Sequence, residues 1–222
     1  MSAFLERYEQ LHPTSRTLYA RAQAALTNGV THDNRRQLPF PLYIDHALGS
    51  KKWDVDGKEI IDYVVGHGGL LLGHSRPEIV AAVSAQMAKG THYGACHELE
   101  IEWASWVNKL VPSAEKVRFF SSGTEATLMA IRLARSFTGK TKLLRFDDHF
   151  DGWHDYTCHV HMEPGKGLVA PGVPEATLST VTIIPQNDAE LVEKTLASGE
   201  YAALILEPTG PSWGVVPIKE GF

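Results

Sequence analysis

The sequence predicts an α/β chain: a mostly parallel sheet with flanking helices, preceded by a helical arm and a hairpin segment. Three observations carry this. From about residue 117 onward, short apolar strands alternate with helix-patterned runs, the mark of βαβ units. Before residue 70 the pattern is different, with a helical repeat followed by short strands around an Asp-Gly turn. The composition, 43% hydrophobic and 21% charged, is that of an ordinary globular chain and excludes disordered, collagenous or coiled-coil architectures.

Residues 1–27 read as helix, because Leu5, Tyr8, Leu11, Leu18, Ala22 and Leu26 recur at near-helical spacing and Asn28-Gly29 supplies a stop. Residues 30–41 are irregular, with prolines at 39 and 41. Leu42-Tyr43-Ile44 and Lys52-Trp53-Asp54 read as strands; the Asp56-Gly57 turn and Glu59 to Asp62 complete a hairpin. Gly66-His67-Gly68-Gly69 is flexible punctuation. Pro77 starts a helix that runs to about Lys89, with Gly90 past its end, and a second helix covers about Glu98 to Leu110, before Pro112. Then come a strand at Val117 to Phe120, a helix at Glu125 to Phe137, and strands at Lys142 to Phe146, Thr180 to Ile184 and Ala202 to Leu206. The expected division is an arm-and-hairpin segment over 1–70 and the first part of a large domain over 71–222. The sequence stops at Gly221-Phe222, soon after its last strand. So few parallel strands leave a bare edge, and the expectation is a folding unit whose C-terminal remainder is missing.

Charge narrows the function classes. Lys and Arg number 21 against 26 Asp and Glu, a net charge of −5, so the basic footprint of a nucleic-acid binder is absent. No run approaches the ~20 apolar residues of a membrane helix. The acidic N-terminus does not read as a secretory signal, and two cysteines, Cys96 and Cys158, do not make a disulfide framework. A cytoplasmic protein without membrane or nucleic-acid partners is expected.

Three segments can carry chemistry. Ser121-Ser122-Gly123-Thr124-Glu125-Ala126 lies between a strand and a helix. Ser122 and Glu125 form a capping-box pattern. Hydroxyls there, with the first helical N–H groups and the helix dipole, make a phosphate seat; read more plainly, the segment is a helix cap. Asp147 to Asp155, containing His149, Phe150, Asp151, Trp153 and His154, follows the next strand. Ligands of open α/β sheets bind at such strand ends, and an aromatic ring there can stack on a planar group or simply be buried in a turn. Leu206-Glu207-Pro208 places a carboxylate past another strand. His149, His154, His159 and His161 cluster near carboxylates, but no zinc-binding spacing accompanies them, and no metal site is assigned.

Together these segments resemble the class III aminotransferases, fold-type I enzymes that use pyridoxal 5′-phosphate, and within them the glutamate-1-semialdehyde aminomutase branch. Trp53-Asp54-Val55-Asp56-Gly57, Ile61-Asp62-Tyr63, Gly73-His74, Val117-Arg118-Phe119, Ser122 to Ala126, Ile131 to Arg135, Thr138-Gly139-Lys140 and Glu207-Pro208 match in order. The resemblance implies that the α/β part is the beginning of a fold-type I large domain. It implies cofactor phosphate at Ser122, Gly123 and Thr124, a ring stacked on Phe150 in place of the usual Tyr, and Glu207 near the cofactor ring. Asp151 replaces the His that often follows the stacking residue, and Ser212 stands where Asn or Glu is usual. Arg35 aligns with a substrate-carboxylate Arg, and His67 stands where the aminomutases carry Trp over the substrate pocket. The implied reaction of the complete enzyme is ping-pong amino transfer between an amino acid or amine and an oxo acid through pyridoxamine phosphate. The alternative is 2,1-amino transfer within a semialdehyde; the change to His67 favours the former. A homodimer is implied. The family's Schiff-base lysine and its ring-nitrogen Asp fall beyond the sequence, so the chain alone is expected to be inactive. It reads as a fragment, a pseudoenzyme subunit or one half of a site completed by a C-terminal fragment.

Overall fold

The structure, a computed structural model, describes residues 3–158, 161–163, 167–169, 171–211 and 215–222. His159, Ser212 and the His161 side chain lie outside what is described. The chain divides into two compact units, Met1–Cys96 and His97–Phe222.

The first unit opens with two helices, α1 (Ala3–Leu11) and α2 (Pro13–Gln23), where the apolar repeat predicted one. Pro13 is the reason. It lacks the N–H that would continue the ladder but fits the first position of a new helix. His12 at the break is buried, and its Nδ1 lies 2.6 Å from Asp54 Oδ2. Asp54 Oδ1 accepts the N–H groups of Asp56 (3.0 Å) and Lys58 (2.7 Å), shaping the Asp56-Gly57 turn. Asp56 in turn accepts the Thr14 and Ser15 N–H groups at 3.0 and 3.2 Å, an anion on the N-terminus of α2. Two carboxylates therefore latch the arm to the hairpin.

The strands are β1 (Ile44–Leu48), β2 (Lys51–Asp54) and β3 (Glu59–Ile61), antiparallel in that order. The first begins where the predicted Leu42–Ile44 strand was to end; Tyr43 precedes the ladder, its N–H donated to Ser15 Oγ. The loop after β3 is closed at its base by buried Asp62, which accepts from the N–H groups of Val64 and Val65 and meets Lys52 Nζ at 2.9 Å and His74 Nε2 at 2.6 Å. Helix α3 (Pro77–Met87) follows.

The second unit contains α4 (Glu98–Leu110), α5 (Gly123–Thr138), β4 (Lys142–Phe146), β5 (His161–Glu163), β6 (Gly167–Val169), α6 (Glu175–Leu178), β7 (Val181–Ile184), α7 (Ala189–Leu196) and β8 (Tyr201–Ile205). Strand β4 is central and parallel to β7 on one side and β8 on the other. Its Leu143 to Phe146 are all buried, as both faces of a covered parallel strand should be. Leu144, Phe146 and Ile184 form the core, with Leu191, Val192, Tyr201 and Leu204 packed on it. β5 and β6 make a separate antiparallel pair. Val117–Phe120, predicted as a strand, has no ladder partner among the described residues. Its apolar pattern is spent on packing: the Phe119 ring lies on Trp103, centroids 3.8 Å apart and planes 14° from parallel.

The chain runs from β4 to β7 and then crosses to β8 on the far side of β4. The carboxyl end of β4 is thus a switch point, where open α/β sheets place their ligands.

Candidate functional site

Helix α5 begins with the predicted cap. Ser122 is extended (φ −150°, ψ 159°), its Oγ accepts the Glu125 N–H at 3.2 Å, and its hydroxyl lies 3.3 Å from Glu125 Oε2. The Ala126 N–H goes to the Ser122 carbonyl. Among the described residues the Gly123 and Thr124 N–H groups have no acceptor, and both belong to the end that carries the positive pole of the helix. A Cβ on Gly123 would meet nothing within 4 Å; what this glycine leaves clear lies outside the chain's own packing. Sixteen residues on, Gly139 ends the helix with φ 68°.

The segment after β4 is pressed against this helix start. Thr127 Oγ1, one turn in, donates to the Asp151 carbonyl at 2.7 Å. At Gly152 (φ +110°) a Cβ would stand 3.0 Å from both Thr124 Cα and Thr124 Oγ1, so glycine is required by conformation and by contact. Phe150 emerges between these anchors, a residue 59% exposed. Its N–H donates to Glu207 Oε1 at 2.6 Å, which ties the carboxylate past β8 to the segment past β4.

Two residues beneath organise this surface. His149 is fully buried. Its Nδ1 accepts the Glu207 N–H at 2.8 Å, and since that N–H can only donate, the ring proton sits on Nε2, 3.1 Å from Gln186 Oε1. One neutral imidazole thereby links the ends of β4, β7 and β8. Arg145, 2% exposed and set among Leu143, Leu144 and Phe146, sends Nη1 to the Thr157 carbonyl and Nη2 to the His149 carbonyl, each at 2.7 Å. Its Nε faces Asp151 Oδ2 at 3.5 Å. Burial pushes the Asp151 carboxyl up against the pull of that guanidinium, and burial likewise pushes His154 down.

Ser122, Gly123, Thr124, Phe150 and Glu207 therefore lie on elements joined directly at one edge of the second unit. An anion seat, an exposed aromatic ring and a carboxylate adjoin there, an arrangement suited to a planar group bearing a phosphate. Arg35 and His67 belong to the first unit. Arg35 ends a 3-10 turn and its Nη1 donates to Thr31 Oγ1 at 2.8 Å. His67 is exposed with φ 58°, in a run that includes Val65 at φ 42°, a conformation costly for a β-branched residue. Sequence reasoning missed Arg145, Thr127 and Gln186; the one signal was a lone arginine inside Leu143-Leu144-Arg145-Phe146. Among the described residues, His12, Asp54 and Asp56 bring ligand-type atoms within 4.8 Å of one another, but these atoms serve the latch described above.

Comparison with known proteins gives the family of the chain and the fold it shares with solved structures. A family model described as aminotransferase class-III matches residues 32–222. A glutamate-1-semialdehyde 2,1-aminomutase of Methanopyrus kandleri is 39% identical over 223 residues, covering 97% of this chain and 51% of that protein. An omega-transaminase from Sphaerobacter thermophilus superposes with a TM-score of 0.85 at 33% identity, over 92% of this chain and 49% of its own. A glutamate-1-semialdehyde aminomutase variant from Pseudomonas aeruginosa PAO1, solved with PMP, gives a TM-score of 0.87 at 26% identity, over 98% of this chain and 49% of its own. The chain thus spans about half the length of the relatives it matches. No helix among the described residues is long and apolar enough to cross a membrane.

Proposed function

The chain belongs to the class-III aminotransferase family, and on that premise we propose that its second unit forms the phosphate end and a stacking face of a pyridoxal 5′-phosphate site in an amino-group-moving enzyme. The observation that carries the reading is the direct joining of the α5 N-terminus, Phe150 and Glu207 at the carboxyl end of β4. Ser122 and Thr124 hydroxyls and the first N–H groups of α5 would hold the phosphate. Phe150 would stack on the ring, with no hydroxyl to add a hydrogen bond. Glu207 would act close to the ring while holding the Phe150 backbone. Arg35 would meet a substrate carboxylate and His67 would border the substrate pocket. When bound, the cofactor supplies an aldehyde for the amino group and an electron sink for the bond broken beside it. The residues proposed here anchor and orient; none is assigned as the base. No lysine of the 222 residues stands in the context the family gives its cofactor lysine, and the chain by itself is proposed to be inactive. A homodimer in the cytoplasm belongs to the same proposal.

For the reaction, 2,1-amino transfer within a semialdehyde now stands ahead of transfer between separate substrates, the reverse of the order that His67 suggested. The 39% identical relative of Methanopyrus kandleri is named for that isomerisation, and a single pocket residue weighs less than likeness along the chain. Intermolecular transamination remains the second reading, favoured by the 33% identical omega-transaminase structure. The test supplies the protein, complete over its relatives' length, with glutamate-1-semialdehyde as sole substrate. Conversion to an isomer of unchanged mass, with the amine on the former aldehyde carbon, is expected. Turnover only when an amine and an oxo acid are both supplied would contradict it and support the second reading.

A further inference from the structure

We propose that Arg145 and Asp151 form a positioning pair that sets the segment bearing Phe150 against the start of α5, so that cofactor affinity depends on a carboxylate that does not itself touch the cofactor. The inference rests on the cofactor reading above. The guanidinium clamps the segment at both ends, through the carbonyls of His149 and Thr157 at 2.7 Å each, with Cys158 O at 3.4 Å. Asp151 sits between these clamps. Its carbonyl takes the Thr127 hydroxyl, and its neighbour Gly152 abuts Thr124. Its side chain, in a residue only 7% exposed, turns back toward Arg145. Among the described residues, Arg145 Nε, Asp151 Oδ2 and His154 Nδ1 are the buried side-chain atoms lacking a hydrogen-bond partner. The first two face each other at 3.5 Å, just beyond the usual N–H···O range. Opposite charges held this close, in a site with little water, prescribe where Asp151 must sit, and Phe150 and Gly152 are bonded directly to it. The pairing also accounts for the Asp at this position: a histidine there, kept neutral by burial beside a guanidinium, would give Arg145 no opposite charge to face.

The test uses the whole chain without substrate, as wild type, Asp151→Asn and Asp151→His. Three quantities are read: backbone amide exchange, the thermal midpoint, and binding of pyridoxal 5′-phosphate with the absorbance of the bound form. In both variants exchange at Phe150 to Thr157 should quicken about tenfold, the cofactor Kd should rise about tenfold with a shifted absorbance, and the thermal midpoint should move by no more than a few degrees. Wild-type Kd together with wild-type exchange in Asp151→Asn would overturn the pair. Quickened exchange along the entire chain with a collapsed midpoint would overturn it too, since the role would then be general stability. Should wild type itself take up no cofactor, the cofactor reading fails separately, and local exchange in the variants alone decides whether the pair sets the segment.

Discussion

Asp62 closes the base of the loop that carries His67, and it does so as a charged group. Its side chain is 1% exposed, with His74 Nε2 at 2.6 Å and Lys52 Nζ at 2.9 Å. The His74 hydrogen bond first, then that of Lys52, holds its carboxyl well below the usual carboxylate range. A depressed folded-state value means that the stabilisation is fully present above the unfolded value near 3.9 and is lost as pH falls through the folded one. Asp62→Asn should therefore cost about 3 kcal/mol at neutral pH, the scale of breaking a buried pair from one side. Urea unfolding should show the gap from wild type narrowing steadily below about pH 4. At this scale the sequence is partly legible. Ile61-Asp62-Tyr63 and Gly73-His74 stand out as landmarks, yet nothing in their spacing says that Asp62 and His74 touch. The same holds for His12, whose partner Asp54 is distant in sequence and is brought to it only by the fold.

Helix α5 is the element on which the cofactor proposal turns, and its local rules agree with one another. Ser122 caps it, Glu125 stands in its first turn, Ile131 is buried mid-helix and Gly139 ends it left-handed. Such agreement makes an element readable from sequence. Thr124→Val keeps the Ser122 cap and removes one hydroxyl, so it should weaken pyridoxal 5′-phosphate binding by tenfold or more, since a hydrogen bond to a charged group is worth about 1.5–3 kcal/mol. Phe150→Ala should weaken it similarly and shift the bound absorbance. One titration of both variants checks this, and unchanged affinity would remove these residues from the site. The elements that sequence pattern misjudged have physical causes. The apolar repeat over the first 27 residues ignores Pro13, whose missing N–H splits the helix. Val117–Phe120 has strand-like residues but no ladder partner among the described ones, and a strand is defined by its neighbour.

At the scale of the whole molecule, two compact units cover about half the length of the relatives. The α/β class and the parallel pairing were legible, because alternation of short strands and helices leaves few topologies. The strand order β7-β4-β8 was not. That order is nevertheless what makes the end of β4 a switch point and gathers His149, Gln186 and Glu207 around one buried ring. The most direct test of the central claim is amide exchange of the chain with and without pyridoxal 5′-phosphate. Slowed exchange concentrated at Gly123, Thr124 and Phe150 is the predicted result. Protection absent from those three amides at a cofactor concentration that saturates binding would contradict it.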